Sequence, residues 1–126
     1  MRGSGYGAWM SECLFCRIVA GEIPGDVVHE SERVLAFRDI EPRAAVHVLV
    51  IPKAHHATVA ELAAEDCDLL GELILATAEV ARLEGVDQSG YRLVSNVGAD
   101  AGQVVDHVHV HVLGGQQLGV VAVPPG

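Results

Sequence analysis

Seven histidines occur in this chain of 126 residues, and three stand at alternate positions in one stretch, His107-Val108-His109-Val110-His111. In extended backbone successive side chains point to opposite faces. The three imidazoles therefore share one face, and Val108, Val110 and Val112 share the other, which belongs in a core. Three neighbouring imidazoles pack poorly, because each must be desolvated or left in water. They are well suited to chemistry. Neutral imidazole is a nucleophile and a metal ligand, and imidazolium donates protons and pairs with phosphate near neutral pH.

A glycine-bearing loop, Gly98-Ala99-Asp100-Ala101-Gly102, runs into the histidine stretch. Gly102 permits close approach of backbone to a ligand, and neighbouring N–H groups can form a concave anion site. Asn96 before the loop and Gln103 after it can hydrogen-bond a phosphoryl or ribose oxygen. A nucleophile, a proton donor and donors for equatorial oxygens are what attack on a phosphorus centre needs. The bland alternative is a polar edge strand with incidental histidines; the adjoining loop favours chemistry. Cys13-Leu14-Phe15-Cys16 is a second constellation, with a metal-ligand spacing, and His55 or His56 after Pro52-Lys53 offers a further ligand. Its rivals are two reduced thiols, or a redox pair that lacks the usual strand–helix setting. Another metal reading makes the three imidazoles an open catalytic zinc site holding a water. Lone Cys67 reads as inert.

The elements that must position these groups follow from periodicity. Residues 13–20 have helical spacing, with Ser11 a candidate cap and Gly21 a stop. Residues 27–29 and 34–37 read as strands joined by a hairpin, and residues 46–51 as a third strand that Pro52 ends. Residues 66–84 carry the clearest helix, with Leu69, Leu70, Leu73, Ile74, Thr77, Val80 and Ala81 at spacings of three and four. Residues 91–97 and 104–113 complete five strands. Short links between strands favour antiparallel pairing, so the expected fold class is α+β, with one short and one long helix on an antiparallel five-stranded sheet. Residues 1–10, with Trp9, read as a flexible leader, and residues 11–126 as a single domain.

Composition sets bounds. Half of the residues are hydrophobic and few are aromatic, so the core is built from Val, Leu, Ile and Ala. No run of eighteen apolar residues occurs, which argues against a membrane. A net charge of −9 argues against a nucleic-acid surface, which needs a basic stripe, though not against a small phosphorylated ligand. An odd number of cysteines, three, argues for a reducing, cytoplasmic setting.

His107-Val108-His109-Val110-His111-Val112-Leu113 resembles the signature of the histidine-triad superfamily. Ile23-Pro24, Leu35-Ala36-Phe37-Arg38-Asp39-Ile40, His47-Val48-Leu49-Val50-Ile51-Pro52-Lys53, Tyr91-Arg92-Leu93-Val94 and Gly102-Gln103 follow the same pattern in register. The likeness covers about residues 12–126, and the Pro124-Pro125-Gly126 ending is similar to the branch that acts as purine nucleoside phosphoramidases. The resemblance implies that His109 attacks the α-phosphorus to form a nucleotidyl-histidine intermediate, which water resolves to the nucleoside monophosphate. His107 and His111 flank it, orienting the nucleophile and engaging the phosphate or the leaving-group proton.

Asp39 matches the carboxylate that holds the ribose; turn capping is its plain alternative. Asn96, Gly102 and Gln103 match phosphate-side positions. Leu14, Phe15, Ile18 and Phe37 match the slot for a purine base, and Phe15, Ile18 and Phe37 are equally core residues. His47 matches a histidine that supports the site from behind. Some bacterial members bind zinc through residues matching Cys13, Cys16, His55 and His107, a Cys₂His₂ set that is structural in kind. The resemblance also implies a homodimer whose two sheets join. A dinucleoside polyphosphate hydrolase and a weakly catalytic nucleotide-binding or scaffolding dimer are the alternatives. Two positions depart from the pattern. Val104 stands where many phosphoramidases carry a serine, so a hydroxyl donor is missing beside the leaving group. Asp106 stands where an aromatic or apolar residue is usual.

Overall fold

The computed structural model describes residues 13–121. The leader, Trp9, Ser11 and the Pro124-Pro125-Gly126 ending lie outside the described residues. Helix α1 spans Leu14–Val19 and strands β1, β2 and β3 span Val27–Glu30, Val34–Arg38 and Val46–Pro52. Helices α2 (Val59–Glu65) and α3 (Cys67–Leu83) follow, then β4 (Tyr91–Val94), a 3₁₀ turn at Ala99–Ala101 and β5 (Val110–Gly114). The five strands form one antiparallel sheet in the order β1-β2-β3-β5-β4.

β3 is central because it is apolar on both faces: every residue from His47 to Pro52 is buried. One face, carrying Val34, Ala36, Val48, Val50, Val110 and Val112, packs on Leu62 of α2 and on Leu69, Leu73 and Val80 of α3. The other, carrying Leu35, Phe37, Leu49 and Ile51, is covered by Phe15 of α1. His111 pairs with Leu49 and His47 with Leu113 in the antiparallel register, so both imidazoles lie on the α1 face.

Asp66 caps α3, accepting the Leu69 N–H at 3.0 Å, as the acid-led start of the 66–84 pattern implies. α2 is an addition to the two helices the periodicity predicts. Its signal is Thr58 three residues before Glu61: the Thr58 hydroxyl accepts the Glu61 N–H at 3.1 Å. The cap of α1 is Cys13, whose sulfur accepts the Cys16 N–H. Two strands are shorter than expected. Strand four ends at Val94 rather than 97, and strand five begins at Val110 rather than 104, because the two pair only from Val94↔His111 onward. At the far end, a Cβ on Gly114 would meet Val86 at 3.1 Å, so only glycine lets β5 pass that close.

Candidate active site and metal centre

His107 and His109 precede the ladder, yet they keep its alternation. Val108, Val110 and Val112 are buried at 1%, 3% and 0% exposure, which fixes the imidazoles on the opposite side. Other groups take over where the ladder stops. The Val108 N–H donates to the His56 carbonyl at 2.8 Å, and the Ser95 hydroxyl donates to the His109 carbonyl at 2.9 Å. Sequence reasoning missed Ser95, since nothing in its neighbourhood shows that β4 ends one residue earlier.

A carbonyl only accepts, so it assigns the proton on any ring nitrogen beside it. His109 Nδ1–H donates to the His107 carbonyl at 2.8 Å, which leaves the lone pair of the neutral ring on Nε2. Among the described residues, nothing hydrogen-bonds that Nε2. His107 Nε2–H donates to the Pro52 carbonyl at 2.8 Å, leaving Nδ1 as the lone-pair nitrogen. The His107 ring is thus held between the Pro52 carbonyl and the cysteines, and residue 107 orients His109 through its main chain. The ring is fully buried, and burial holds its pKa down to about 4.

His111 is set by His47. The Arg43 N–H donates to His47 Nδ1 at 3.0 Å, so His47 carries its proton on Nε2 and donates it to His111 Nδ1 at 2.9 Å. His111 therefore presents Nε2–H. Burial lowers the pKa of His47 and brings that of His111 down to about 4, with the nearby His109 adding to the latter. Both rings are neutral near pH 7. Asp39 performs the turn-capping role, accepting the Glu41 N–H at 2.8 Å on Oδ1, while its Oδ2 lies 3.4 Å from His47 Nε2. Asp39, His47 and His111 bring ligand atoms close together. A metal does not fit there: coordination through His47 Nε2 would turn an Nδ1–H against the Arg43 N–H. His47 and His111 are instead a hydrogen-bonded pair, with the Asp39 carboxylate close beside it.

A metal does fit at Cys13, Cys16, His55 and His107, whose ligand atoms lie within 4.8 Å of one another. The Cys13 sulfur is 3.4 Å from His107 Nδ1, and the Cys16 sulfur is 3.3 Å from His55 Nδ1 and 3.6 Å from His107 Nδ1. A tetrahedral zinc with bonds of about 2.3 Å to sulfur and 2.0 Å to nitrogen has sulfur–nitrogen edges of roughly 3.5 Å. Burial, with Cys13 alongside, pushes the Cys16 thiol up to about 12, so a thiolate there calls for a cation. The Pro52 carbonyl fixes the ligating tautomer of His107. The three triad rings do not themselves form a metal site: their Nδ1 atoms face the cysteines, the His107 carbonyl and His47 respectively.

The glycine loop is tied internally. Gly102 adopts φ +83°, which suits glycine, and its N–H donates to the Ala99 carbonyl at 2.9 Å. The Gln103 N–H donates to the Gly98 carbonyl at 3.1 Å. The Gln103 side chain is equally committed. Its carbonyl accepts the Gly98 N–H at 2.9 Å, and its amide donates to the Ala57 and Val105 carbonyls at 2.7 and 3.0 Å. Among the described residues, the N–H groups of Val104, Val105 and Asp106 make no hydrogen bond. Asn96 lies half-buried just past β4 with its side-chain amide likewise unengaged among the described residues. Of the apolar candidates, Phe15 and Phe37 are buried at 4% exposure each, while Ile18 is half-buried and Leu14 is 44% exposed.

The HIT domain family matches residues 20–118, a span that holds the triad, Asp39 and the glycine loop but leaves Cys13 and Cys16 outside. A purine nucleoside phosphoramidase of Escherichia coli (strain K12) is 44% identical over 108 residues, covering 86% of this chain and 91% of that protein. A 14 kDa zinc-binding protein of Brassica juncea is 43% identical over 117 residues, covering 91% of this chain and all of the other. Among solved structures, a HIT family hydrolase from Legionella pneumophila superposes with a TM-score of 0.81 at 47% identity, covering 90% of this chain and 99% of that one.

Proposed function

The chain belongs to the HIT domain family, and from that premise we propose that it is a hydrolase of purine nucleoside phosphoramidates or related adenylates. The observation that carries the reading is the His109 tautomer. With Nδ1–H held by the His107 carbonyl, the Nε2 lone pair is the free nucleophile of the site. In this reading Nε2 attacks the α-phosphorus and the phosphorus–nitrogen bond breaks, while the neutral His111 ring donates its Nε2–H as a hydrogen bond at the reacting phosphoryl group and the departing nitrogen takes its proton from solvent. Water then attacks the phosphorus of the nucleotidyl-histidine, gives a proton back to solvent, and the nucleoside monophosphate leaves with His109 neutral again.

Asp39 receives the ribose hydroxyls in this reading, on the oxygen not bound by Glu41. Asn96 and the unengaged N–H groups after Gln103 receive phosphate oxygens, and Gly102 and Gln103 shape the loop that presents them. Leu14 and Ile18 form the accessible side of the base slot, over a floor of Phe37. Cys13, Cys16, His55 and His107 hold a zinc ion, which balances the thiolates and joins α1 to the histidine segment as a structural tie. A homodimer in a reducing cytoplasm completes the proposal. Its support is the sheet edge at β4, unpaired among the described residues, where Leu93 is 39% exposed, and exposed Ile74 and Leu75 on α3, at 46% and 73%.

Hydrolysis of adenosine 5′-phosphoramidate by the protein and by its His109→Ala form tests the reading. Turnover in the first and none in the second supports it. AMP binding without turnover overturns it in favour of a nucleotide-binding dimer. A strong preference for dinucleoside polyphosphates moves it to the alternative hydrolase class.

A further inference from the structure

Phe15 sits inside the Cys13-Leu14-Phe15-Cys16 turn, and its ring does more than fill the core. It meets the His109 imidazole edge-on, with centroids 5.1 Å apart at 84°, and the His107 imidazole at 5.9 Å and 75°. Phe37 closes on it from the other side at 5.6 Å and 70°. Edge-to-face geometry at these distances is the favoured arrangement of aromatic rings. Both flanking cysteines belong to the candidate metal cluster, and Cys13 also caps the helix that carries Phe15.

We propose that Phe15 is a positioning residue for the nucleophile: it holds the His109 ring so that Nε2 faces the site, and the metal-ligating cysteines on either side hold Phe15. Two routes then run from the metal cluster to His109. One is through the ring of Phe15, and the other is through residue 107, whose ring belongs to the cluster and whose carbonyl accepts the His109 Nδ1–H. The hydrogen bond fixes one edge of the imidazole and leaves it a swing about that edge. The Phe15 contact removes the swing. A residue that merely lines a base slot needs no contact with the nucleophile. The proposal rests on His109 being the nucleophile and assigns Phe15 to turnover rather than to purine affinity.

Phe15→Leu keeps an apolar side chain of similar volume and removes the flat ring. The expected result is a fall of about tenfold to a hundredfold in kcat for adenosine 5′-phosphoramidate. The AMP dissociation constant should stay within about threefold, well under the tenfold that 1.4 kcal/mol represents. A rise in that constant with kcat unchanged would make Phe15 a base contact and overturn the proposal. The second arm needs no variant and no turnover. Nitrogen NMR of the His109 ring is followed while Zn²⁺ is titrated into chelator-treated protein. A zinc-free ring sampling both tautomers, moving to the Nδ1–H form as one Zn²⁺ binds per chain, supports the proposal. No zinc uptake, or uptake without change at His109, overturns it. If His109 is not the nucleophile, the protein shows no turnover while its ring still responds to zinc, so the two failures are distinguishable.

Discussion

The His109 Nδ1–H and the main-chain carbonyl of His107 are 2.8 Å apart, a hydrogen bond between two residues on one face of the same extended segment. It converts the period of two into chemistry. A histidine two positions back supplies both the acceptor that sets the His109 tautomer and a ring free for another task. That ring goes to the cysteines, so one residue serves the triad segment with its backbone and the candidate metal cluster with its side chain.

Ser95 supports this arrangement from the neighbouring strand. Ser95→Ala leaves the His109 carbonyl without its 2.9 Å partner. The expected loss of stability is about 1 kcal/mol, read from a urea midpoint at unchanged slope. A looser segment lowers kcat by up to roughly tenfold with little change in KM. Kinetics indistinguishable from the parent protein would show that the segment is held without the hydroxyl.

Stability should also depend on pH below neutrality. Burial lowers His47 and His111 below their ordinary 6.5, His111 to about 4, so between those values the unfolded chain binds more protons than the folded one. The contribution is fully present above pH 6.5 and is lost progressively as pH falls toward 4. Replacing His111 by Asn removes one of these groups and flattens the slope of stability against pH by at most about 1.4 kcal/mol per unit. Urea midpoints measured from pH 4.5 to 7.5 on both proteins check it, and parallel slopes would be the contrary result.

Val104 is 90% exposed, so its replacement by serine disturbs no packing. Stability is expected to change by less than about 0.5 kcal/mol. The added hydroxyl restores the donor that many phosphoramidases carry at this place. Turnover of phosphoramidates with poor leaving groups should rise several-fold, and turnover of good ones should change less. Equal effects on both would remove this position from the leaving-group step.

Much of this was legible in the sequence because it depends on side-chain alternation. The strand locations, the long helix and the shared face of the three histidines follow from period two and period 3.6, and the face assignment survives although His107 and His109 lie outside the ladder. The cysteine pair and His55 were legible from spacing and resemblance. The tautomers were not, because they depend on the carbonyls of Pro52 and His107 and the N–H of Arg43, main-chain groups that every residue type carries. Helix α2 was hidden because only Leu62 of its seven residues is buried, too little to give a hydrophobic period.

Gln103 separates two ways a polar residue can serve a phosphate loop. As a ligand-binding side chain it would keep its amide free. Instead both ends of the amide are spent, on the Gly98 N–H and on the carbonyls of Ala57 and Val105. Ala57 lies two residues after His55, so the amide ties the glycine loop to the segment that carries a candidate metal ligand. Gln103→Ala therefore releases the loop and leaves three main-chain groups to water. Stability should fall by about 1–3 kcal/mol. Hydrogen exchange at the Gly98 amide should accelerate far more than at the strand amides of β3. KM for the phosphoramidate should rise because the loop must be ordered on binding, which weakens affinity by the cost of that ordering. Unchanged exchange at Gly98, accompanied by weaker AMP binding, would instead make Gln103 a direct contact to the nucleotide.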